Sequence, residues 1–166
     1  MSVTDELLTN NEEYAAGFDK GDLPMPPGKN VAVVACMDAR LKVGDLLGLD
    51  EGDAHVIRNA GGLVSEDALR SLVISQHLLG TNEVILIHHT DCGMLTFADD
   101  DLFDKVEENV GKRPSADDFE PGTFGDLEVH VRESVETVRN YPFLLHTDSV
   151  RGFVYDVKTG RLNEVE

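Results

Sequence analysis

Tryptophan is absent from this sequence, and aromatic side chains make up only 6% of its 166 residues. A hydrophobic core must therefore be packed mainly by Val, Leu, Ile and Ala. Hydrophobic residues reach 41% of the composition, too many for a disordered chain. Because the length suits one core, residues 1–166 are predicted to form a single domain.

Basic residues are scarce. There are 14 Lys and Arg against 32 Asp and Glu, which gives a formal net charge of −18. Nucleic-acid binding is disfavoured, because it requires clustered Lys and Arg. The acidic residues are spread along the chain, as in proteins that stay soluble where salt at 1 M screens charges beyond about 3 Å. We therefore expect a halophilic protein, with an ordinary acidic cytosolic protein as the alternative.

Long apolar runs are also absent. The first twenty residues lack the basic start and apolar centre of a secretory signal, and no run has the length that spans a membrane. These absences predict a cytoplasmic protein with no membrane role. The two cysteines, Cys36 and Cys92, could form one disulfide, but a reducing cytoplasm favours a metal-binding or catalytic use.

Strand and helix patterns alternate along the chain, which predicts an α/β fold. The expected sheet is mostly parallel, with four central strands and a short antiparallel edge strand, and helices flank it. The expected strands are apolar runs at 31–35, from about 54, at 82–89 and within 149–166. The clearest helix follows Ser65, a capping residue, and stops at Gly80.

Metal-binding side chains follow the ends of two predicted strands. Cys36 ends the first strand, whereas His88, His89 and Cys92 end or follow the third. Ligands collect beyond the carboxyl ends of parallel strands, and right-handed crossovers could make these strands neighbours. Two thiolates and one imidazole would leave a fourth position for water, as in a catalytic zinc site. A His-x-x-Cys pair alone more often reflects a buried cysteine beside an unrelated histidine.

An acid and a base, Asp38 and Arg40, come directly after Cys36. Zinc lowers the pKa of its bound water to about 7, and Asp38 could accept a hydrogen bond from that water. Arg40 could hold Asp38 in a bidentate pair that keeps it ionised and away from the metal. An isolated Asp-x-Arg is usually a surface salt bridge worth under about 1 kcal/mol, but this position favours the catalytic interpretation.

Four segments resemble the β-class carbonic anhydrases, in particular their compact prokaryotic branch. They are CMDAR at 36–40, RNAGG at 58–62, HTDCG at 89–93 and RGFVYDVKTGRL at 151–162. The resemblance implies a mostly parallel sheet with flanking helices, and an enzyme that reversibly hydrates carbon dioxide to bicarbonate and a proton through zinc-bound hydroxide.

Carried over by position, the resemblance assigns one zinc ion per subunit to Cys36, His89 and Cys92. It selects His89 over His88, which the chemistry of the residues leaves open. Asp38 and Arg40 become the catalytic pair, in which Asp38 orients the attacking water and Arg40 restrains Asp38.

The resemblance also concerns the substrate and the oligomer. The loop at 58–62 would lie beside the metal, where Gly61 and Gly62 leave room for the substrate or are simply turn glycines. A homodimer is implied, in which a helical arm at 1–22 lies across the partner. Packing on its own subunit is the alternative for the apolar residues of the arm, Leu7, Leu8, Tyr14 and Phe18.

Alternatives remain open at this point. A carbonyl sulfide or carbon disulfide hydrolase could use the same scaffold, and a zinc-binding protein could lack turnover, although intact Asp38 and Arg40 argue against the latter. Asp91 is expected to cap the helix that follows it. The remaining histidines are candidates for a proton shuttle, although each is more typical of an ordinary surface or helix position: His55, His77, His130 and His146.

Overall fold

A five-stranded sheet organises residues 2–166, the part of the chain that the computed structural model describes. The strands are β1 Val31–Cys36, β2 Ala54–Asn59, β3 Glu83–His89, β4 Val150–Tyr155 and β5 Leu162–Val165. The helices are α1 Val3–Ala16, α2 Val43–Leu47, α3 Glu66–Leu79, α4 Asp99–Val110 and α5 Leu127–Arg139. None of these helices is long and apolar enough to cross a bilayer.

The strands lie in the order β2-β1-β3-β4-β5. The first four are parallel, and β5 runs antiparallel to β4 at one edge. The predicted α/β fold with its antiparallel edge strand is therefore confirmed. Because β1 pairs with β3, with Ala35 opposite Ile87, the carboxyl ends of these two strands lie side by side.

The central strands are apolar on both faces because helices or loops cover both. All six residues of β1 are buried, and successive side chains enter opposite halves of the core. Val34 packs with Leu72 of α3 and Val138 of α5 on one face. Val33 packs with Leu41 and Ile87 on the other face, where the two cysteines also lie.

The boundaries of α3 follow its sequence signals. The Ser65 hydroxyl accepts a hydrogen bond from the Ala68 amide at 3.3 Å, and Gly80 ends the helix with a left-handed backbone. Leu72 is fully buried against the sheet. Sequence and structure agree here because both helix ends are determined by local contacts.

Helix α1 buries no side chain against the part of the chain that the structure describes. The helix and the residues that follow it contact the rest of the domain at Glu51. Glu51 accepts a hydrogen bond from the Tyr14 hydroxyl at 3.2 Å and forms an ion pair with Lys20. Large apolar side chains of this segment stay about half or more exposed: Val3, Leu7, Leu8, Tyr14 and Phe18. Packing of the arm on its own subunit is therefore not observed.

His88 is buried in an aromatic cluster between β3 and α5. Its ring meets Phe124 and His130 edge-on, with centroids 6.0 and 5.0 Å away, and Phe124 stacks on His130. Neither ring nitrogen of His88 has a hydrogen-bond partner within residues 2–166. Burial, reinforced by His130, lowers the pKa of His88 to about 4, so the ring stays neutral at physiological pH.

Replacing His88 with Leu should reduce the acid sensitivity of the fold. As the pH falls from 6.5 to about 4, His88 becomes protonated in the unfolded chain but stays neutral in the folded protein. This difference lowers the free energy of unfolding by roughly 3 kcal/mol over that range. Urea unfolding followed by circular dichroism at the two pH values measures this loss. His88→Leu should lose less stability than the wild type, whereas the control His77→Gln should match it. An unchanged pH dependence in His88→Leu would contradict the assignment.

Candidate metal centre

Three potential metal ligands converge at the carboxyl edge of the sheet. Cys36 is the last residue of β1, His89 is the last residue of β3, and Cys92 follows three residues later. Their ligand atoms all lie within 4.8 Å of one another, and all three residues are buried. The expected convergence is therefore present. The neighbouring His88 is outside this group, because adjacent strand residues point to opposite faces.

His89 is oriented as a metal ligand. Its Nδ1 lies 2.9 Å from the Thr90 carbonyl oxygen, so in the neutral ring Nδ1–H donates to that carbonyl and Nε2 keeps its lone pair. Nε2 is buried and has no hydrogen-bond partner anywhere in the described chain. A buried imidazole nitrogen without a partner beside two thiols is a donor set that zinc prefers, so these residues fit a zinc ion.

The two thiols shift each other's pKa in opposite directions. The neighbouring Cys92 thiol lowers the pKa of Cys36 to about 4 despite its burial. The same contact, with burial, raises the pKa of the Cys92 thiol. Burial lowers the pKa of His89, but the neighbouring Cys36 sulfur and the hydrogen bond to the Thr90 carbonyl outweigh it and raise the value. Metal binding must displace these protons, so the affinity for metal falls as the pH falls.

Asp38 and Arg40 form the expected bidentate pair. Arg40 Nε donates to Asp38 Oδ1 at 2.9 Å, and Nη2 donates to Oδ2 at 2.7 Å. The Arg40 amide also donates to Oδ1 at 2.9 Å. These bonds hold the pKa of Asp38 well below its usual range. An ionised carboxylate therefore stands beside the ligands, with Oδ2 3.8 Å from His89 Nε2.

The prediction that Asp91 caps the following helix is wrong. After Cys92 the chain forms only a single 3-10 turn at residues 93–95, and that turn has no side-chain cap. Asp91 instead accepts a hydrogen bond from Arg40 Nη1 at 2.7 Å, and its carbonyl accepts one from Nη2 at 2.9 Å. Its backbone is left-handed, with φ of 56°. Arg40 thus lies between two carboxylates.

Sequence reasoning missed two supporting residues in the RNAGG segment. Arg58 Nε and Nη2 donate to the Cys36 carbonyl at 3.0 and 2.9 Å, and Nη2 also donates to the Asp38 carbonyl at 2.7 Å. Asn59 closes the next loop through bonds to the Leu63 amide and carbonyl. Asn59 lies opposite Cys36 in the sheet register. The signal available in the sequence was that this segment follows the second predicted strand, whose end lies beside the end of the first.

A cavity of about 570 Å³ opens onto the ligands. Its lining is mostly apolar and includes Met37, Ala60, Met94, Phe97, Leu102, Phe119 and Pro121. Gly61 lines the cavity, whereas Gly62 lies behind it against the backbone of Cys36 and Ile87. Within the described chain, none of the four histidines considered as proton shuttles lines this cavity. The apolar lining suits a small uncharged molecule.

Comparisons with known proteins agree with this geometry. A family profile described as carbonic anhydrase matches residues 31–162. A β-carbonic anhydrase 1 of Mycobacterium tuberculosis is 56% identical over 165 residues, covering 99% of both chains. The carbonic anhydrase structure from Streptococcus mutans superposes with a TM-score of 0.93 at 41% identity, covering 100% of this chain and 99% of that one. A carbon disulfide hydrolase of Acidithiobacillus thiooxidans is 32% identical over 179 residues, covering 98% of this chain and 90% of that protein.

Gly62→Ala should destabilise the protein by about 3 kcal/mol or more, because the new methyl group meets main-chain atoms that cannot move aside. A Cβ at this position would lie 2.8 Å from the Cys36 nitrogen and 3.0 Å from the Ile87 oxygen, and the backbone has φ of 69°. Gly125→Ala is the control, since its Cβ would enter open space among the described residues. Urea unfolding compares the two variants. Equal midpoints would show that Gly62 is replaceable.

Proposed function

Because this chain belongs to the β-carbonic anhydrase family, we propose that it catalyses the reversible hydration of carbon dioxide to bicarbonate and a proton, with one zinc ion per subunit. The observation that carries the proposal is the convergence of two thiols and an imidazole beside an ionised Asp–Arg pair, at an apolar cavity. Zinc would be held by Cys36 Sγ, His89 Nε2 and Cys92 Sγ. When bound, zinc supplies a Lewis acid that makes water a nucleophile near neutral pH.

The residues around the ligands have separate tasks in this reaction. Asp38 accepts a hydrogen bond from the attacking water and so directs its lone pair toward the carbon atom. Arg40 keeps Asp38 ionised and holds the carboxylate to one side of the ligands. Arg58 fixes the backbone that carries Cys36 and Asp38. We also propose that Gly61 and Gly62 leave space for the substrate, Gly61 directly at the cavity and Gly62 by close backbone packing.

The apolar lining favours entry of an uncharged linear molecule over retention of an anion. Carbon dioxide is weakly hydrated, so it enters the cavity at little cost in lost hydration. Bicarbonate is released readily because the apolar lining offers it few hydrogen bonds. The product proton passes to solvent or buffer.

A second candidate is hydrolysis of carbonyl sulfide or carbon disulfide. The same lining would admit these apolar molecules, and the Acidithiobacillus relative is named a carbon disulfide hydrolase. Identity to that protein is 32%, against 56% to the β-carbonic anhydrase, which favours carbon dioxide as the main substrate. A zinc protein without turnover is disfavoured, since it would not need the intact pair of Asp38 and Arg40.

Stopped-flow hydration of carbon dioxide by the zinc-loaded protein tests the proposed activity. Asp38→Asn and Arg40→Ala should each lower kcat/KM by roughly 10- to 100-fold, because the attacking water loses its orientation. Asp67→Asn, which removes an exposed acid that pairs only with Arg70 in the described chain, should leave the rate unchanged. Metal content is measured for each variant.

Two outcomes would overturn parts of this proposal. A folded, zinc-loaded protein that hydrates no carbon dioxide would redirect the assay to carbonyl sulfide and carbon disulfide. Full activity in Asp38→Asn would refute the role of Asp38 while leaving the zinc site intact.

We further propose a homodimer in which the helical arm at 1–22 covers the partner. The support is the exposed apolar surface of α1, which includes Leu7 and Leu8, each 59% exposed. Analytical ultracentrifugation should find a dimer for the full chain and a monomer after removal of residues 1–22. A full chain that sediments as a monomer would contradict this arrangement.

The net charge of −18 supports a further proposal, adaptation to high salt. Raising KCl from about 0.1 M to about 2 M should raise the free energy of unfolding, because the salt screens repulsion among the acidic residues. Equal stability at both concentrations would favour an ordinary acidic protein. We also propose a cytoplasmic location, since a reducing compartment would keep Cys36 and Cys92 available as ligands.

A further inference from the structure

Arg40 joins the two chain segments that carry the metal ligands. On one side it binds the carboxylate of Asp38, two residues after Cys36. On the other side it binds the carboxylate and the carbonyl of Asp91, which directly precedes Cys92. The separation of Arg40 and Asp91 along the chain is 51 residues, so this contact exists only in the folded protein.

Asp38 has two possible partners within reach. Its Oδ2 lies 2.7 Å from Arg40 Nη2 and 3.8 Å from His89 Nε2, the nitrogen that would bind a metal. A small rotation would therefore allow the carboxylate to compete for the open metal position. The Arg40 guanidinium binds both carboxylate oxygens of Asp38 and so opposes that rotation.

Arg40 needs support to stay in place. Its side chain is 46% exposed, and long exposed arginine side chains are readily mobile. Among residues 2–166, Asp91 is the only hydrogen-bonding partner of its side chain besides Asp38. Nη2 donates to both residues at once, so the contact with Asp91 fixes the plane of the guanidinium that Asp38 meets.

We propose that Asp91 is a positioning residue, which holds Arg40 in the orientation that keeps Asp38 off the metal. This inference rests on the zinc site of the proposed function. The pair is exposed, with the Asp91 side chain at 71%, so its effect is modest. Its loss should change the ratio of metal-bound to free Asp38 by about two- to fivefold, the range of a surface ion pair.

Cobalt(II) in place of zinc gives a direct readout at one fixed pH near 8. Visible absorption and X-ray absorption distinguish a cobalt ion with an added carboxylate ligand from one without it, and Asp38→Ala supplies the reference without that ligand. Asp91→Asn is the test variant, because Asn tolerates a left-handed backbone and keeps the carbonyl contact. Asp67→Asn is the matched control, since it breaks an Asp–Arg pair of similar exposure away from the site.

Asp91→Asn should raise the ratio of carboxylate-bound to carboxylate-free cobalt by about two- to fivefold and lower kcat with little change in KM, while the control matches the wild type. In an Arg40→Ala background the Asp91→Asn change should add nothing, because its effect passes through Arg40. The proposal is overturned if the spectra of Asp91→Asn and Asp67→Asn agree, if the effects of the two changes simply add, or if Asp91→Asn loses cobalt. Absence of carbon dioxide hydration in every protein would refute the proposed function and leave the spectral result standing.

Discussion

The parallel pairing of β1 with β3 is the constraint on which the rest of the site depends. It places Cys36 and His89 at the ends of neighbouring strands, so one short loop is enough to bring Cys92 to the same point. Both strands are buried along most of their length and, apart from His88 and the ligands at their ends, offer apolar side chains to the core. Chemistry is therefore confined to the edge where the strands end, as is usual in open parallel sheets.

A second group of residues, outside the three potential ligands, cross-links this edge through hydrogen bonds. Arg58 ties β2 to the backbone of Cys36 and Asp38, and Arg40 ties Asp38 to Asp91. Asn59 closes the loop beside the cavity. These contacts place charges and dipoles around an apolar cavity, where fixed polar groups need little rearrangement when charge develops in a reaction.

Local patterns in the sequence predicted the framework because local physics determines it. The apolar residues 31–35 indicated a buried strand, and Ser65 with Gly80 marked both ends of α3. The partners of Asp91 and Arg58 could not be predicted in this way, since they lie 51 and 22 residues away along the chain. The choice of His89 over His88 came from the family resemblance. In the structure it follows from the alternation of side chains in β3, which sends His88 to the aromatic cluster.

The burial of Cys36 and Cys92 has a consequence for the chemical reactivity of their thiols. Both sulfurs belong to the apolar cluster built on Val33, Leu41 and Ile87, and the two residues are only 4% and 3% exposed. Oxidants and alkylating reagents attack a thiolate only where they can reach it. Such reagents must therefore approach these cysteines through the apolar cavity that both residues line, so the same opening controls access for substrate and for inactivating reagents.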